Sequence, residues 1–173
     1  AHVTYVHYRS ISHVLIEGGS MAEQIKLTKI LLVEDNPDDI LIIERAFKEA
    51  KIINQFFITR DGQEGWDFLK HQGKYSIPES SPRPGLILLD INLPKLNGLE
   101  LLKLIKEDLD LKRIPTVMLT ISRRDEDIIR GYDHGCNSFI QKPVEFEKFV
   151  ETVRQIGLYW GIINVESPNN TIE

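Results

Sequence analysis

Residues 86–98 read Leu-Ile-Leu-Leu-Asp-Ile-Asn-Leu-Pro-Lys-Leu-Asn-Gly, an apolar run that stops at an aspartate. The four apolar residues Leu86–Leu89 suit a strand that is buried on both faces. Asp90 follows directly, and open α/β sheets bind their ligands at the carboxyl ends of their strands. The stretch therefore predicts a central strand of a parallel sheet, with Asp90 as a candidate functional residue.

Similar short, mainly apolar runs occur on both sides of this one, at residues 30–33, 56–59, 117–119 and 138–140. The longer segments between them place apolar residues at helical spacing. The first such segment carries Ile40, Ile43, Ala46 and Phe47, and the last carries Phe146, Phe149, Val150 and Val153. The alternation predicts an α/β fold, a doubly wound sandwich in which five helices cover a parallel sheet of five strands.

The length, charge and residue composition of the chain exclude several classes of function. The chain has 173 residues, enough for one domain of ordinary size. Acidic residues number 26 against 21 basic ones, and the net charge of −5 disfavours nucleic acid as a partner. Cys136 is the only cysteine, so an internal disulfide is excluded and a reducing, cytoplasmic compartment is expected. No apolar stretch approaches the roughly 20 residues of a membrane-spanning helix, so no membrane partner is expected.

Changes in composition mark the ends of the predicted domain. The sequence Glu-Gly-Gly-Ser precedes Met21, which predicts a leader or linker over residues 1–20 and the domain over 21–157. A period-two apolar pattern within the leader leaves an added edge strand as the alternative. Residues 158–173 are a C-terminal extension that either packs back on the domain or forms a dimer contact through Tyr159, Trp160, Ile162 and Ile163. Residues 71–85, rich in Pro, Ser and Gly, predict a surface loop.

Polar side chains follow several of the predicted strands and should meet at one edge of the sheet: Glu34, Asp35, Asp90, Thr120 and Lys142. Three carboxylates in contact repel one another unless a cation or raised pKa values offset the repulsion. Mg2+ prefers oxygen ligands and is commonly shared between carboxylates and phosphate. Lys142 and Thr120 add a positive charge and a hydroxyl for an anion, so the set predicts a phosphoryl-transfer site.

Each of these residues alone has a simpler explanation. Residues 34–37, Glu-Asp-Asn-Pro, would also start a helix, since acidic residues and proline favour the first turn. Asp90 would close a loop, and Lys142 would be a solvated side chain. Their joint occurrence at successive strand ends favours the functional interpretation.

The motifs around these residues closely resemble the receiver domain family of response regulators. They are Leu-Val-Glu34-Asp35-Asn36, Leu-Leu-Asp90-Ile-Asn92-Leu-Pro94-Lys-Leu-Asn-Gly98, Leu-Thr120 and Lys142-Pro143, within residues 29–157. The resemblance implies a flavodoxin-like (βα)5 fold with strand order 2-1-3-4-5. It also implies a two-component phosphorelay protein, in which Asp90 accepts a phosphoryl group from the phosphohistidine of a sensor histidine kinase.

The same resemblance assigns the metal ligands. Asp35, Asp90 and the main-chain carbonyl of Asn92 would bind Mg2+ or Mn2+, and Glu34 would complete the acidic pocket directly or through water. The metal would have to bind before the phosphoryl group is transferred.

The resemblance also assigns the residues of a switch. Lys142 would hold a phosphate oxygen, aimed into the pocket by a cis peptide bond to Pro143. Thr120 would move towards the phosphate, and Phe139 would turn inward as the switch aromatic. The signal would then pass through the surface of helix 4, strand 5 and helix 5. An aromatic in a buried strand is also commonly a core residue, so both interpretations of Phe139 stay open.

Three residues beside the site belong to positions that tune phosphoryl lifetime in this family: Asn92, Ile121 and Ser122. The position after the threonine is small in most receivers, whereas Ile121 is bulky. The resemblance therefore predicts restricted access to the phosphate, with slow exchange with small donors and slow hydrolysis of the aspartyl phosphate.

Three rival functions fit parts of the pattern. A haloacid-dehalogenase-like phosphatase would need an acid two residues after its nucleophile, where this chain has Asn92. A flavodoxin-like cofactor binder would have a phosphate loop rich in Ser, Thr and Gly after strand 1, where Glu34 and Asp35 would repel phosphate. A pseudo-receiver that only docks partners would lack an acidic residue or the lysine, and this chain has both.

The expected protein is a phosphoacceptor that catalyses only its own phosphorylation and dephosphorylation, not an enzyme with an external substrate. Only sixteen residues follow Gly157, so no output domain is expected and the signal is expected to pass to a downstream protein or a phosphotransfer domain. The long loop and the aromatic tail resemble single-domain regulators of phytochrome-type kinases, many of which form homodimers.

Overall fold

The computed structural model describes residues 29–50, 54–120, 125–142 and 146–158, where five strands alternate with five helices. The strands are β1 (Lys29–Val33), β2 (Gln55–Thr59), β3 (Leu86–Asp90), β4 (Thr116–Thr120) and β5 (Ser138–Gln141). The helices are α1 (Pro37–Glu49), α2 (Gly62–Leu69), α3 (Gly98–Glu107), α4 (Asp125–Asp133) and α5 (Phe146–Leu158). Each predicted apolar run lies within one of these strands, so the predicted alternation is confirmed.

Some predictions fall outside the described residues. They concern the leader over residues 1–20, the apolar side chains within 159–163 and the peptide bond before Pro143. Among the helices that are described, none combines the length and the apolar character needed to cross a membrane.

The strands form one parallel sheet of order β2-β1-β3-β4-β5, which is the predicted doubly wound order. β3 lies at the centre and is buried over its whole length. The helix after β1 covers one face of the sheet, and the helix after β3 covers the other. The carboxyl edge between β1 and β3 is therefore the topological switch point, where ligand sites form in such sheets.

Alternate residues of each strand point to opposite faces, and each face has its own apolar core. The face covered by α1 and α5 includes the strand residues Ile30, Leu32, Leu88, Val117 and Ile140. The face covered by α2 and α3 includes Leu31, Val33, Ile87, Leu89 and Met118. Because both faces are buried, the strands have to be continuously apolar.

The helix α1 begins at a side-chain cap. The Asn36 Oδ1 atom accepts hydrogen bonds from the backbone N–H groups of Asp38 and Asp39 at 2.9 and 3.4 Å. The helix buries the four predicted residues, Ile40, Ile43, Ala46 and Phe47. In α5, Phe146 is half-buried, and the other predicted residues are buried: Phe149, Val150 and Val153.

The segment between α2 and β3 differs from the predicted surface loop, because it is anchored against α2. It forms two short 3-10 helices, Gly73–Tyr75 and Pro78–Ser80, and it buries Tyr75 and Ser81. The Tyr75 hydroxyl donates to Glu64 Oε1 at 3.0 Å, and Ser81 Oγ donates to the Tyr75 carbonyl at 2.9 Å. The segment is thus an ordered part of the domain.

The β3–α3 loop, residues 91–97, lies against the start of α2. Gly62 has no room for a side chain, since a Cβ atom there would lie 1.9 Å from the Leu96 carbonyl oxygen. Lys95 Nζ is 2.6 Å from Oδ2 of Asp61, the N-cap residue of α2. These contacts hold the loop that follows the central strand.

We expect Gly62→Ala to destabilise the domain by about 2 kcal/mol, because the new methyl group overlaps the Leu96 carbonyl and the backbone has to shift. Urea unfolding followed by circular dichroism measures the change. Gln63→Ala, at the next and exposed position of α2, is the control and should alter stability by no more than about 0.5 kcal/mol. Equal unfolding midpoints for the two variants would contradict the close packing of the loop on α2.

Candidate functional site

Asp90 is the last residue of β3, and it is 3% exposed at the carboxyl edge of the sheet. Its Oδ2 accepts a hydrogen bond from the Asn92 backbone N–H at 2.7 Å, and its Oδ1 faces Lys142. A Cβ atom at Gly98 would lie 1.9 Å from the Asp90 carbonyl oxygen, so glycine is required where α3 begins. The loop therefore holds the carboxylate in one orientation.

Glu34 and Asp35 follow β1 and bring two further carboxylates to Asp90. One carboxylate oxygen from each of the three residues lies within 4.8 Å of the others. Glu34 is 1% exposed, and its Oε1 accepts from the Asn36 N–H at 3.1 Å, whereas Asp35 is exposed. The three acidic residues converge as expected from adjacent ends of parallel strands.

Lys142 follows β5 and is the cation of the site. Its backbone N–H donates to the Thr120 carbonyl at 2.7 Å, which fixes it beside the end of β4. Its Nζ lies 2.5 Å from Glu34 Oε2, 2.6 Å from Asp90 Oδ1 and 2.8 Å from Asp39 Oδ2. One ammonium group thus meets three carboxylates, and two of them are almost fully buried.

Burial and charge act in opposite directions on the ionisable groups of this cluster. The pKa of Glu34 is raised, because burial penalises its carboxylate more than the Lys142 ammonium group stabilises it, and Asp90 adds repulsion. For Lys142, burial alone would lower the pKa, but the interactions with Asp39, Asp90 and Glu34 raise it well above its usual range. Lys142 is therefore charged at neutral pH, and it is the counter-ion of the cluster.

The carboxylate oxygens of the cluster suit a divalent cation that prefers oxygen ligands. Asp90 Oδ1 is fully buried, and within the described part of the chain no donor meets it with hydrogen-bonding geometry, although Lys142 forms an ion pair with it. Glu34, Asp35 and Asp90 offer carboxylate oxygens, which are ligands for both Mg2+ and Mn2+. With Asp39 the cluster holds four carboxylates, and three of them pair with the Lys142 ammonium group, so a divalent cation would offset much of the remaining charge.

Thr120 and Phe139, the predicted switch pair, lie on neighbouring strands. Thr120 ends β4 and is 2% exposed. The Phe139 ring on β5 is half-buried and lies 5.3 Å from the Tyr132 ring, centroid to centroid. It also occupies the space that a Cβ atom on Gly131 would need. The ring therefore packs against α4 here, and its turn on phosphorylation stays a prediction.

The residues predicted to tune phosphoryl lifetime are only partly described. Asn92 lies beside Asp90 and donates its backbone N–H to that carboxylate. Ile121 and Ser122 lie outside the described residues. Slow hydrolysis of the aspartyl phosphate, which the bulk of Ile121 predicts, therefore stays a prediction.

Asp39 is the residue of this cluster that the sequence did not indicate. It stands in the first turn of α1 beside Asp38, where acidic residues are favoured by the helix dipole alone. The tertiary structure shows that the Asp39 carboxylate reaches Lys142. One sequence feature could have indicated Asp39: it lies in the first turn of a helix that begins just after Glu34 and Asp35, at the same edge of the sheet.

The chain belongs to the response regulator receiver domain family, whose model matches residues 30–154. Its relatives include Response regulator Rcp1 of Synechocystis sp., which is 42% identical over 131 residues, 76% of this chain and 87% of the relative. The predicted family is thereby confirmed.

Two solved structures show the same likeness. The Mn(2+)-bound form of response regulator Rcp1 has a TM-score of 0.71 at 40% identity. The phosphorylated cyanobacterial phytochrome response regulator RcpA has a TM-score of 0.73 at 38% identity. Each comparison covers 80% of this chain and 97% of the other. The predicted fold and the predicted likeness to phytochrome response regulators are both confirmed.

We expect Lys142→Met to destabilise the metal-free domain by about 3 kcal/mol, because Glu34 and Asp90 lose the counter-charge of their buried carboxylates. Mg2+ should reduce this loss, since a divalent cation supplies positive charge at the same place. Urea unfolding in chelator and in Mg2+ measures both effects, with Lys112→Met, at an exposed lysine, as the control. A loss below about 1 kcal/mol, as at a surface ion pair, would refute the charge argument, and so would a loss that Mg2+ leaves unchanged.

Proposed function

We propose that this domain accepts a phosphoryl group on Asp90 with the help of a bound Mg2+ or Mn2+ ion. The observation that carries the proposal is the convergence of the Asp90 carboxylate with an acidic pair and the Lys142 ammonium group. The Asp90 carboxylate is held in one orientation, which favours nucleophilic attack, and a phosphoryl group beside it would meet the positive charge of Lys142. The ion would be held by Glu34, Asp35, Asp90 and the main-chain carbonyl of Asn92.

In the proposed reaction, an Asp90 oxygen attacks the phosphorus of a phosphohistidine on a sensor histidine kinase. The O–P bond forms as the P–N bond breaks, and the electron pair of that bond returns to the imidazole. When bound, the cation would neutralise charge on the carboxylates and on the phosphoryl oxygens. Lys142 would hold one phosphoryl oxygen, and the Asn92 N–H would keep the second Asp90 oxygen in place.

Thr120 and Phe139 would carry the signal to the surface formed by α4, β5 and α5. Two exposed apolar side chains on α4 support this proposal, Ile129 and Tyr132, which are 58% and 53% exposed. Tyr132 packs against the Phe139 ring, so a turn of that ring would alter the same surface.

The proposed partners follow from the relatives. Because RcpA is a phytochrome response regulator, we take a phytochrome-type sensor histidine kinase as the phosphoryl donor. The phosphorylated domain would pass the signal to a downstream protein or a phosphotransfer domain in the cytoplasm. It would be a phosphoacceptor that catalyses only its own phosphorylation and dephosphorylation.

Incubation with Mg2+ and acetyl phosphate should label the wild-type protein and leave Asp90→Asn unlabelled, because an amide cannot form an acyl phosphate. A phosphate-affinity mobility-shift gel and intact mass measure the product. Asp110→Asn, at an exposed carboxylate in the α3–β4 connection, is the matched control and should be labelled like the wild type. Label that persists in Asp90→Asn, or labelling that needs no divalent ion, would refute the proposal.

We also propose a homodimer through the α4–β5–α5 surface or the C-terminal extension. Light scattering at high concentration should then give twice the chain mass of 19.9 kDa, at least in the phosphorylated state. If α4 forms the interface, Tyr132→Glu should give the monomer mass. If this variant is still a dimer, the C-terminal extension is the contact. Lys112→Glu, at an exposed lysine outside the proposed interface, is the control and should leave the dimer unchanged. A monomeric wild type, with and without phosphorylation, would rule out the dimer.

A further inference from the structure

Lys142 has more carboxylate partners than the proposed reaction needs. A lysine ammonium group has three N–H donors, and here it meets Glu34 Oε2, Asp90 Oδ1 and Asp39 Oδ2. Asp39 lies on α1, whereas Glu34 and Asp90 lie at strand ends. A phosphoryl oxygen that is to bind Lys142 must therefore displace one of these carboxylates or share a donor with it.

The three carboxylates differ in how readily they can release the ammonium group. The side chains of Glu34 and Asp90 are 1% and 4% exposed, so water cannot readily replace Lys142 there. The Asp39 side chain is 24% exposed, and water can hydrate it when the ion pair opens. Its backbone stays in place, because the Asn36 cap holds the first turn of α1. Asp39 is thus the partner that Lys142 leaves most easily.

We propose that Asp39 is a positioning residue that competes with the phosphoryl group for Lys142. In the unphosphorylated domain its carboxylate draws the ammonium group towards α1, and it releases that group when a phosphoryl oxygen binds. Asp39 acts through Lys142 and not on the reacting atoms. The inference rests on the proposed function of Asp90, and it adds a residue that sets how strongly the site holds a phosphoryl group.

Removal of the Asp39 charge should affect the two ligands of the site in opposite directions. A donor of Lys142 becomes available, and one charge that repels the phosphoryl group disappears, so phosphoryl binding becomes tighter. A divalent cation, in contrast, loses the attraction of the Asp39 carboxylate. Lys142, once released from Asp39, also pairs more closely with Glu34 and Asp90 and competes with the cation for them. Cation binding therefore becomes weaker. A purely structural role of Asp39 would weaken both.

The test compares Asp39→Asn with Asp38→Asn. Asp38 is exposed in the same helical turn, so its replacement removes the same formal charge and the same interaction with the helix dipole. Calorimetric titration gives the Mg2+ affinity. At saturating Mg2+, 19F NMR gives the affinity for beryllofluoride, a phosphoryl analogue, and a mobility-shift gel gives the rate of phosphorylation by acetyl phosphate. In that reaction the O–P bond to Asp90 forms as the P–O bond to acetate breaks, and acetate leaves with the electron pair.

We expect Asp39→Asn to bind beryllofluoride about fivefold more tightly than the wild type and to be phosphorylated about fivefold faster, the effect of one partly exposed charge pair. Its Mg2+ affinity should fall about threefold. Asp38→Asn should change each quantity by less than about twofold. Asp39→Glu, which keeps the charge, should stay closer to the wild type than Asp39→Asn in all three measurements.

The outcomes separate this inference from the proposed function. If Asp39→Asn behaves like Asp38→Asn, or weakens both beryllofluoride and Mg2+ binding, Asp39 does not compete for Lys142 and the inference is wrong. The proposed function would be untouched by that result. If the wild type binds no beryllofluoride and is not labelled on Asp90, the proposed function fails, and the inference fails with it.

Discussion

The structure depends on one electrostatic constraint at the carboxyl edge of the sheet, where three of four clustered carboxylates pair with the Lys142 ammonium group. Lys142 reaches Glu34, Asp90 and Asp39, and Asp35 completes the acidic cluster from an exposed position. Buried charges are unfavourable unless a counter-charge lies close to them. The cluster therefore exists only because the sheet and α1 bring these side chains together, and it keeps an excess of negative charge that favours a cation.

The backbone around Asp90 shows how the nucleophile of the proposed reaction is kept in one orientation. Gly98 and Gly62 lack the Cβ atoms that would collide with the carbonyl oxygens of Asp90 and Leu96. The start of α3 and the start of α2 therefore close on the β3–α3 loop from two sides. This packing supports the Asn92 N–H that binds the Asp90 carboxylate. A preorganised donor of this kind needs no rearrangement during the reaction.

Much of the fold could be predicted, because strands that are buried on both faces must be continuously apolar. The convergence of the site residues was also predictable, since parallel strands share one edge. The role of Asp39 was not, because Asp38 and Asp39 are identical neighbours and the packing of α1 decides which of them reaches Lys142. The burial of Tyr75 and Ser81 was not predictable for a similar reason, since Tyr75 binds Glu64 of α2 and Ser81 binds the Tyr75 carbonyl, and composition does not encode either contact.

Lys142 and Thr120 are joined directly, because the backbone N–H of the lysine donates to the threonine carbonyl. Under the proposed function both side chains bind the phosphoryl group, so release of the lysine from Asp39 acts on the ends of β4 and β5 together. Both strands are connected to α4. The helix follows β4 in the chain, and Phe139 on β5 packs against the Tyr132 ring of the helix. Charge compensation at the phosphoryl group and the change at the α4 surface would then be one event, in which the lysine exchanges a carboxylate for a phosphate.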